Sequence, residues 1–374
     1  MRVGIDLTPA VQSRAGIGRY AEELARALLS LDAGIDLRAF YVDPQGREPR
    51  APLDALPRVA TRWSDRSWRA GVSLATWLGL SFDTWLGNLD VFHATDHLLP
   101  PLRRTKSVFT LLDLTSVHFP ETQAFANRVY TRTMLPSFVR RADALIAISE
   151  STKQDAMAAW GIPGDRIHAI SLGVRADFRR PGPDAIQSIK ARYRLPERYL
   201  FFVGTIEPRK NLEVLYLALA RMRTRIPLVV AGRKGWLSEG SFRVLAREGV
   251  TDRVQFLGRV PDEDLPALYA GADLFVFPSW YEGFGLPLLE AMACGTPVVA
   301  SDRSSMPEVM GDAGVLLSPE NPSIWAATLD ELLEDADRRR GLAARGTSRA
   351  AGFTWEKAAQ ATLEVYRGVC AGRS

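Results

Sequence analysis

The chain has 374 residues, 47% of them hydrophobic and 24% charged, which suits two folded domains and excludes a disordered or fibrous chain. Its net charge of +4 comes mainly from scattered Arg, with no basic run interleaved with aromatics, so nucleic acid is not an expected partner. Anionic substrates or an anionic membrane face remain open. Only two cysteines occur, Cys294 and Cys370, in no metal-ligand spacing, and no run of about 18 apolar residues exists. The expectation is a reduced, cytoplasmic chain with no disulfide framework, no structural metal and no spanning helix.

The start, Met1-Arg-Val-Gly-Ile-Asp-Leu7, reads as a buried strand over Val3–Leu7 rather than as a signal peptide. Gly16-x-Gly18-x-x-Ala21 follows it and looks like a dinucleotide fingerprint. The loop of about eight residues before Gly16 is too long for the tight Rossmann turn. Further strands are predicted at Leu37–Val42, Val91–Ala94, Ser107–Leu112, Ala144–Ile148 and His168–Leu172. Between the second and third lie Trp63, Trp68, Trp77 and Trp85. Such a stripe reads by default as core, or else as an acceptor-binding or membrane-interface surface. Arg128, Arg132, Arg140 and Arg141, around a predicted helix, face either anionic head groups or water. The Arg-Arg-Pro-Gly-Pro cluster at 179–183 marks 175–196 as the domain boundary and hinge.

The second half repeats the pattern, with strands predicted at Tyr199–Val203, Leu228–Ala231, Val254–Leu257, Leu274–Phe277, Pro297–Ala300 and Gly314–Leu317. Short apolar runs separated by helices imply parallel sheets covered on both faces, and two such sets imply two doubly wound domains. Ligands of such sheets sit beyond the C-terminal strand ends, so the loops there carry the interest. After Val203 comes Gly204-Thr-Ile-Glu-Pro-Arg-Lys-Asn-Leu212. Arg209 and Lys210 stand just before a helix expected to be capped by Asn211, an arrangement suited to a diphosphate. The alternative is two solvated cations, although Lys is scarce, at six in the chain. Asp262-Glu-Asp264 resembles a metal-binding Asp-x-Asp, but it opens a helix after Pro261 and reads as structural. After Phe277, Gly283 and Gly285 flank Phe284, and Glu282 and Glu290 are eight apart. Two carboxylates here suit sugar and ribose hydroxyls, with backbone amides facing phosphates between them. The plain readings are a loop acid and an acid early in a helix. Thr354–Gly368 reads as an amphipathic helix with Thr354 as N-cap.

The segment from Val254 to Pro319 closely resembles retaining GT-B glycosyltransferases of the glycogen synthase and bacterial mannosyltransferase type (glycosyltransferase family 4, group 1). The resemblance rests on Phe256-Leu-Gly-Arg-Val-Pro261, Leu268-Tyr-Ala-Gly-Ala-Asp273, Pro278-Ser-Trp-Tyr-Glu-Gly-Phe-Gly-Leu-Pro-Leu-Leu-Glu-Ala-Met-Ala-Cys-Gly-Thr-Pro-Val-Val-Ala-Ser301 and the Glu-x7-Glu pair Glu282 and Glu290. It extends more weakly over nearly the whole chain. It implies an α/β GT-B fold: two Rossmann-like doubly wound parallel-sheet domains with a cleft between them. The implied domains are 1–175, with the C-terminal helix 354–374 packing back on it, and 176–353.

By the same resemblance Arg209 and Lys210 bind the donor diphosphate, Glu282 holds the donor sugar and Glu290 the ribose. The amides of Phe284, Gly285 and Leu286, next to Gly283, contact the donor. The backbone at Val260 meets the nucleobase, and Gly16 and Gly18 face the phosphates from the first domain. Asp113 is kept from a His-Asp pair, but Leu112 replaces the His, and His118 is a nearby substitute. The implied activity is metal-independent hexose transfer with retention, in surface polysaccharide biosynthesis. The donor would be a nucleotide-diphosphate sugar, first GDP-mannose and next a UDP-sugar, with no further cofactor. The acceptor would be a glycan or lipid-linked glycan, with peripheral contact to an anionic membrane. The alternatives are an inactive donor-binding relative and an NAD-dependent oxidoreductase.

Overall fold

The computed structural model describes residues 1–12, 15–31, 34–122 and 125–372. The chain divides into two compact units, Met1–Gly173 with Thr354–Ser374, and Val174–Phe353.

The first unit is built on strands β1 (Arg2–Asp6), β2 (Asp36–Val42), β3 (Arg58–Thr61), β4 (Val91–Ala94), β5 (Lys106–Leu111), β6 (Ala144–Ala147) and β7 (Ile167–Ala169). They pair in the order β3-β2-β1-β4-β5-β6-β7, parallel throughout. Register is set by apolar pairs such as Val3 with Leu37 and Val91. Strands β4 and β6 are buried along their whole length, because helices cover both faces of the sheet. Strand β3, Arg-Val-Ala-Thr, has no apolar run and was not predicted; its pairing with β2 makes it a strand. The last predicted strand lies earlier than expected, ending at Ala169 rather than Leu172.

Helix Trp355–Cys370 closes the first unit. Thr354 is its N-cap, its side chain accepting from the Lys357 amide at 3.2 Å, which satisfies one of the helix's unpaired donors. Trp355, Ala359, Leu363, Tyr366 and Val369 lie on its buried face, and the helix packs on helix Ala15–Ser30. A buried polar chain joins these parts. Tyr366 Oη is 2.7 Å from His93 Nδ1, His93 Nε2 is 2.7 Å from Thr110 Oγ1, and Thr110 is 2.8 Å from Tyr20 Oη. Burial pushes the His93 pKa down to about 3, so the ring is neutral.

The second unit holds β8 (Leu200–Val203), β9 (Leu228–Ala231), β10 (Val254–Gly258), β11 (Leu274–Phe277), β12 (Val298–Ser301) and β13 (Val315–Leu317). Their order is β10-β9-β8-β11-β12-β13, again parallel. Phe201, Tyr269 and Phe275 meet edge to face in its core, with ring centroids 5.2 and 5.3 Å apart for the pairs to Tyr269.

The segment 175–196 is not a free linker. Val174 donates to the Phe353 carbonyl, and helix Pro183–Arg192 packs on helix Leu265–Ala270 of the same unit. Asp262-Glu-Asp264 belongs to this packing. Asp264 is buried and accepts from Arg192 and Tyr193, and Asp262 pairs with Arg175 at 3.3 Å. Among the described residues no cluster of His, Cys, Asp and Glu forms a metal cage, and no helix is long and apolar enough to cross a membrane.

Candidate functional site

The chain direction across the second sheet reverses between β8 and β11. From β8 the strands continue through β9 to β10 on one side, and from β11 through β12 to β13 on the other. The loops that leave these two strands stand at the switch point, the usual ligand position in such sheets. These loops, 204–211 and 278–285, carry Arg209, Lys210 and Glu282.

The first loop leaves β8 at Gly204, forms a short turn over Pro208–Lys210 and enters helix Leu212–Arg221. Asn211 does not cap that helix as expected. It takes a left-handed conformation with φ 52°, and its amide donates to the carbonyls of Pro278 (3.3 Å) and Pro319 (2.9 Å). A capping role needs an extended backbone, whereas this Asn ties three loops together. The loops are stitched again by the Trp280 amide, which donates to the Arg209 carbonyl at 2.9 Å.

The second loop ends at helix Leu286–Ala293. Gly285 precedes it with φ 98°, a conformation that an L side chain resists, and an added Cβ would meet Leu288 at 3.0 Å. Ser304 and Ser305 hold this loop. The Glu282 amide donates to Ser304 Oγ, and Ser305 Oγ lies 2.9 Å from the carbonyls of both Glu282 and Phe284. Neither serine stood out in the sequence, because a Ser pair before a Pro-initiated helix carries no chemical signature of its own.

The three charged side chains meet. Lys210 Nζ donates to Glu282 Oε1 at 2.6 Å, and Arg209 Nη1 lies 3.1 Å from Glu282 Oε2. Arg209 also pairs with Glu207 at 2.8 Å and donates to the Tyr281 carbonyl. Lys210 and Glu282 are buried. Burial by itself would raise the Glu282 pKa. Lys210 and Arg209 outweigh it and hold the carboxyl at about 2. Burial, and then Arg209, push the Lys210 pKa down, with Glu282 opposing. The solvated-cation reading therefore fails for Lys210, which is a buried ammonium ion paired to a carboxylate.

Glu290 stands apart from this trio in its bonding. It lies on the second turn of helix Leu286–Ala293, is buried, and accepts from Tyr269 Oη at 2.8 Å. Gly283 and Phe284 are buried in the loop, and Leu286 starts the helix half-buried. Val260 is half-buried in the turn after β10, whose last residue, Gly258, accepts from the Gly232 amide beside β9.

In the first unit the corresponding reversal falls between β1 and β4. Gly16 and Gly18 lie in the first turns of helix Ala15–Ser30, after β1. They differ in surroundings. A Cβ on Gly18 would come 2.6 Å from the Pro9 carbonyl oxygen, so close helix packing demands that glycine. A Cβ on Gly16 would meet nothing. Asp113 follows β5, one strand beyond the reversal, and accepts from the Thr115 amide at 3.0 Å. Leu112, in the place of the resemblance's His, is buried. His118 pairs with Asp155 at 3.3 Å, on helix Glu150–Trp160.

Comparison with known proteins agrees with this architecture. The family model for Glycosyl transferases group 1 matches residues 186–349, and that for Glycosyltransferase Family 4 matches residues 14–178. The chain is 30% identical to the O-antigen chain mannosyltransferase B of Escherichia coli, over 98% of this chain and 100% of that one. It is 38% identical to the serotype-specific mannosyltransferase WbdA of Escherichia coli over 60% of this chain, which is 29% of that longer protein. Among solved structures, sucrose-phosphate synthase from Thermosynechococcus elongatus superposes over 100% of both chains with a TM-score of 0.79 at 22% identity. The dinucleotide reading of Gly16 and Gly18 falls with these matches, and Gly18 already has a packing reason. Two parallel Rossmann-like sheets, a buried Lys210–Glu282 ion pair at the switch point of the second, and a full-length relative place the chain in the group 1, family 4 glycosyltransferases of GT-B fold.

Proposed function

We propose that the chain transfers mannose from GDP-mannose, with retention at the anomeric carbon, to a glycan or lipid-linked glycan in surface polysaccharide assembly. The sugar follows from relatives described as mannosyltransferases, one of them of the O-antigen chain over its full length. The observation that carries the reading is the Arg209–Lys210–Glu282 cluster at the switch point of the second sheet.

Breaking the bond between sugar and diphosphate leaves negative charge on the leaving group. Fixed cations in a site of low dielectric stabilise that charge without reorganising during the reaction. Arg209 and Lys210 supply two such charges, in the role a divalent ion would otherwise fill, so we expect transfer to continue in the presence of a chelator. A carboxylate gains nothing beside a diphosphate, but it accepts hydrogen bonds from hydroxyls. We therefore assign Glu282 to the donor sugar and Glu290 to the ribose. The amides of Gly283, Phe284, Gly285 and Leu286 are assigned to the phosphates and Val260 to the base. Gly16, Gly18 and Asp113 remain candidates for the same donor through family membership and their position after strand ends. Glu282 and Glu290 do not read as the carboxylate pair of a glycosidase, because Glu282 is already the counter-ion of two cations.

The test is a thermal-shift screen against GDP, UDP and ADP, paired with a transfer assay using GDP-mannose. A ligand that binds the folded state raises its stability by mass action. The expected result is a shift with GDP that Lys210→Ala abolishes. A shift with UDP alone would replace the donor base, and silence from all three would sink the donor-site assignment.

A further inference from the structure

We propose that Ser304 and Ser305 are positioning residues of the transfer reaction, which turn the Gly285 amide toward the side of its loop where Arg209 lies, to meet the leaving phosphate of the donor. This role rests on the donor reading above and names what aims the loop.

Both serines forgo the arrangement that their own place in the chain favours. Ser304 holds a left-handed backbone with φ 48°, which residues other than glycine avoid unless something fixes them there. Ser305 stands at the N-cap of helix Met306–Met310, where a serine hydroxyl ordinarily accepts from an amide of the first turn. It makes no such bond, and it is buried. Both hydroxyls go to the loop 278–285 instead. Ser304 Oγ accepts from the Glu282 amide at 2.9 Å, and the Ser305 hydroxyl proton is shared between the carbonyls of Glu282 and Phe284, each 2.9 Å away.

These bonds give the loop two sides. The peptide unit joining Tyr281 to Glu282 offers its carbonyl to Arg209 and its N–H to Ser304, and in a trans peptide those groups point in opposite directions. Ser304 therefore lies on one side of the loop and Arg209 on the other. Ser305 draws the Phe284 carbonyl toward the serine side, so the N–H of the same peptide unit, that of Gly285, points the opposite way. Gly285 also opens helix Leu286–Ala293, whose positive end stands beside that amide. An amide held in this direction, next to a helix end and a fixed cation, stabilises charge that develops on a departing phosphate. The bonds to both the N–H and the carbonyl of Glu282 also fix the Cα from which its carboxylate reaches Lys210.

The experiment is steady-state kinetics of wild type and variants at a temperature where all are folded, with whichever of GDP-mannose and UDP-glucose the wild type turns over. Ser305→Ala should lower kcat by at least about tenfold while the donor KM moves by less than about threefold, since the amide acts on charge that develops in the transition state. Ser304→Gly and Ser304→Ala both remove the acceptor of the Glu282 amide. Glycine takes φ 48° without strain and alanine does not, so the glycine variant should melt at the higher temperature. Both should nevertheless lose kcat alike, whereas a merely structural role would make activity follow melting temperature. Wild-type kcat in Ser304→Gly, or a Ser305→Ala variant altered in KM alone, would overturn the proposal and leave the donor reading standing. A wild type that turns over neither donor would overturn both.

Discussion

Glu282 shows how far one side chain depends on its neighbours. Its carboxylate lies between two cations, and its pKa of about 2 lies below the ordinary 4.5. A depressed acid contributes stability that is complete above its unfolded pKa and is lost as pH falls through the folded one. The contribution of Glu282 is therefore present at neutral pH and fades between about 4.5 and 2. Glu282→Gln leaves the buried Lys210 without its counter-ion, while Arg209 keeps Glu207, at an expected cost of roughly 3 kcal/mol at pH 7. Urea denaturation at neutral and acid pH checks this, and the gap between wild type and variant should narrow toward pH 2. An equal gap at both pH values would show that the charge is not responsible. In the same variant a nucleoside diphosphate no longer competes with Glu282 for the two cations. GDP should then bind more tightly, by roughly tenfold, while transfer slows. Local sequence supplied these residues because each loop is continuous. Their joining across 72 residues could not be read that way.

At the scale of elements, the two glycines of the first helix make the contrast. Both were read as phosphate-facing, yet only Gly18 is required by packing, with the Pro9 carbonyl 2.6 Å from where its Cβ would stand. Gly18→Ala should destabilise the first unit by about 2 kcal/mol. Gly16→Ala should leave its melting temperature unchanged or raise it slightly, since an added methyl meets nothing and alanine favours helix. Thermal melts of the two variants separate the cases, and a loss of GDP binding in Gly16→Ala alone would then report on the ligand. The strands were legible because a parallel sheet buried on both faces needs unbroken apolar runs, as at Leu228–Ala231 and Leu274–Phe277. Strand β3 was not, because only its neighbour makes Arg58–Thr61 a strand. The tryptophan stripe divided for a similar reason: Trp68 reached the core, and Trp77, at the end of the same helix, did not.

Over the whole molecule, the last helix completes a unit that begins at the first residue. Trp355, Leu363 and Tyr366 are buried against it, and Tyr366 ends the polar chain through His93 to Thr110. Removing residues 354–374 would uncover that apolar face and leave His93 Nδ1 without its partner Tyr366 in the core. We expect an aggregating chain, or one whose first unit exchanges amide hydrogens rapidly while the second stays protected. Uniform protection in both units would contradict this. The sequence by itself determined the alternation of strand and helix, the two parallel sheets and the loops that hold the charged residues. Those features follow from local periodicity, turn chemistry and motif spacing. Only the tertiary structure decided that Lys210 is a buried ion paired to Glu282, that Asn211 bridges loops instead of capping, that Gly18 serves packing, and that Trp77 stands in solvent. Each of these depends on which residues far apart in the chain become neighbours, and burial sets the strength of a charge, a hydrogen bond or a clash only once those neighbours are in place.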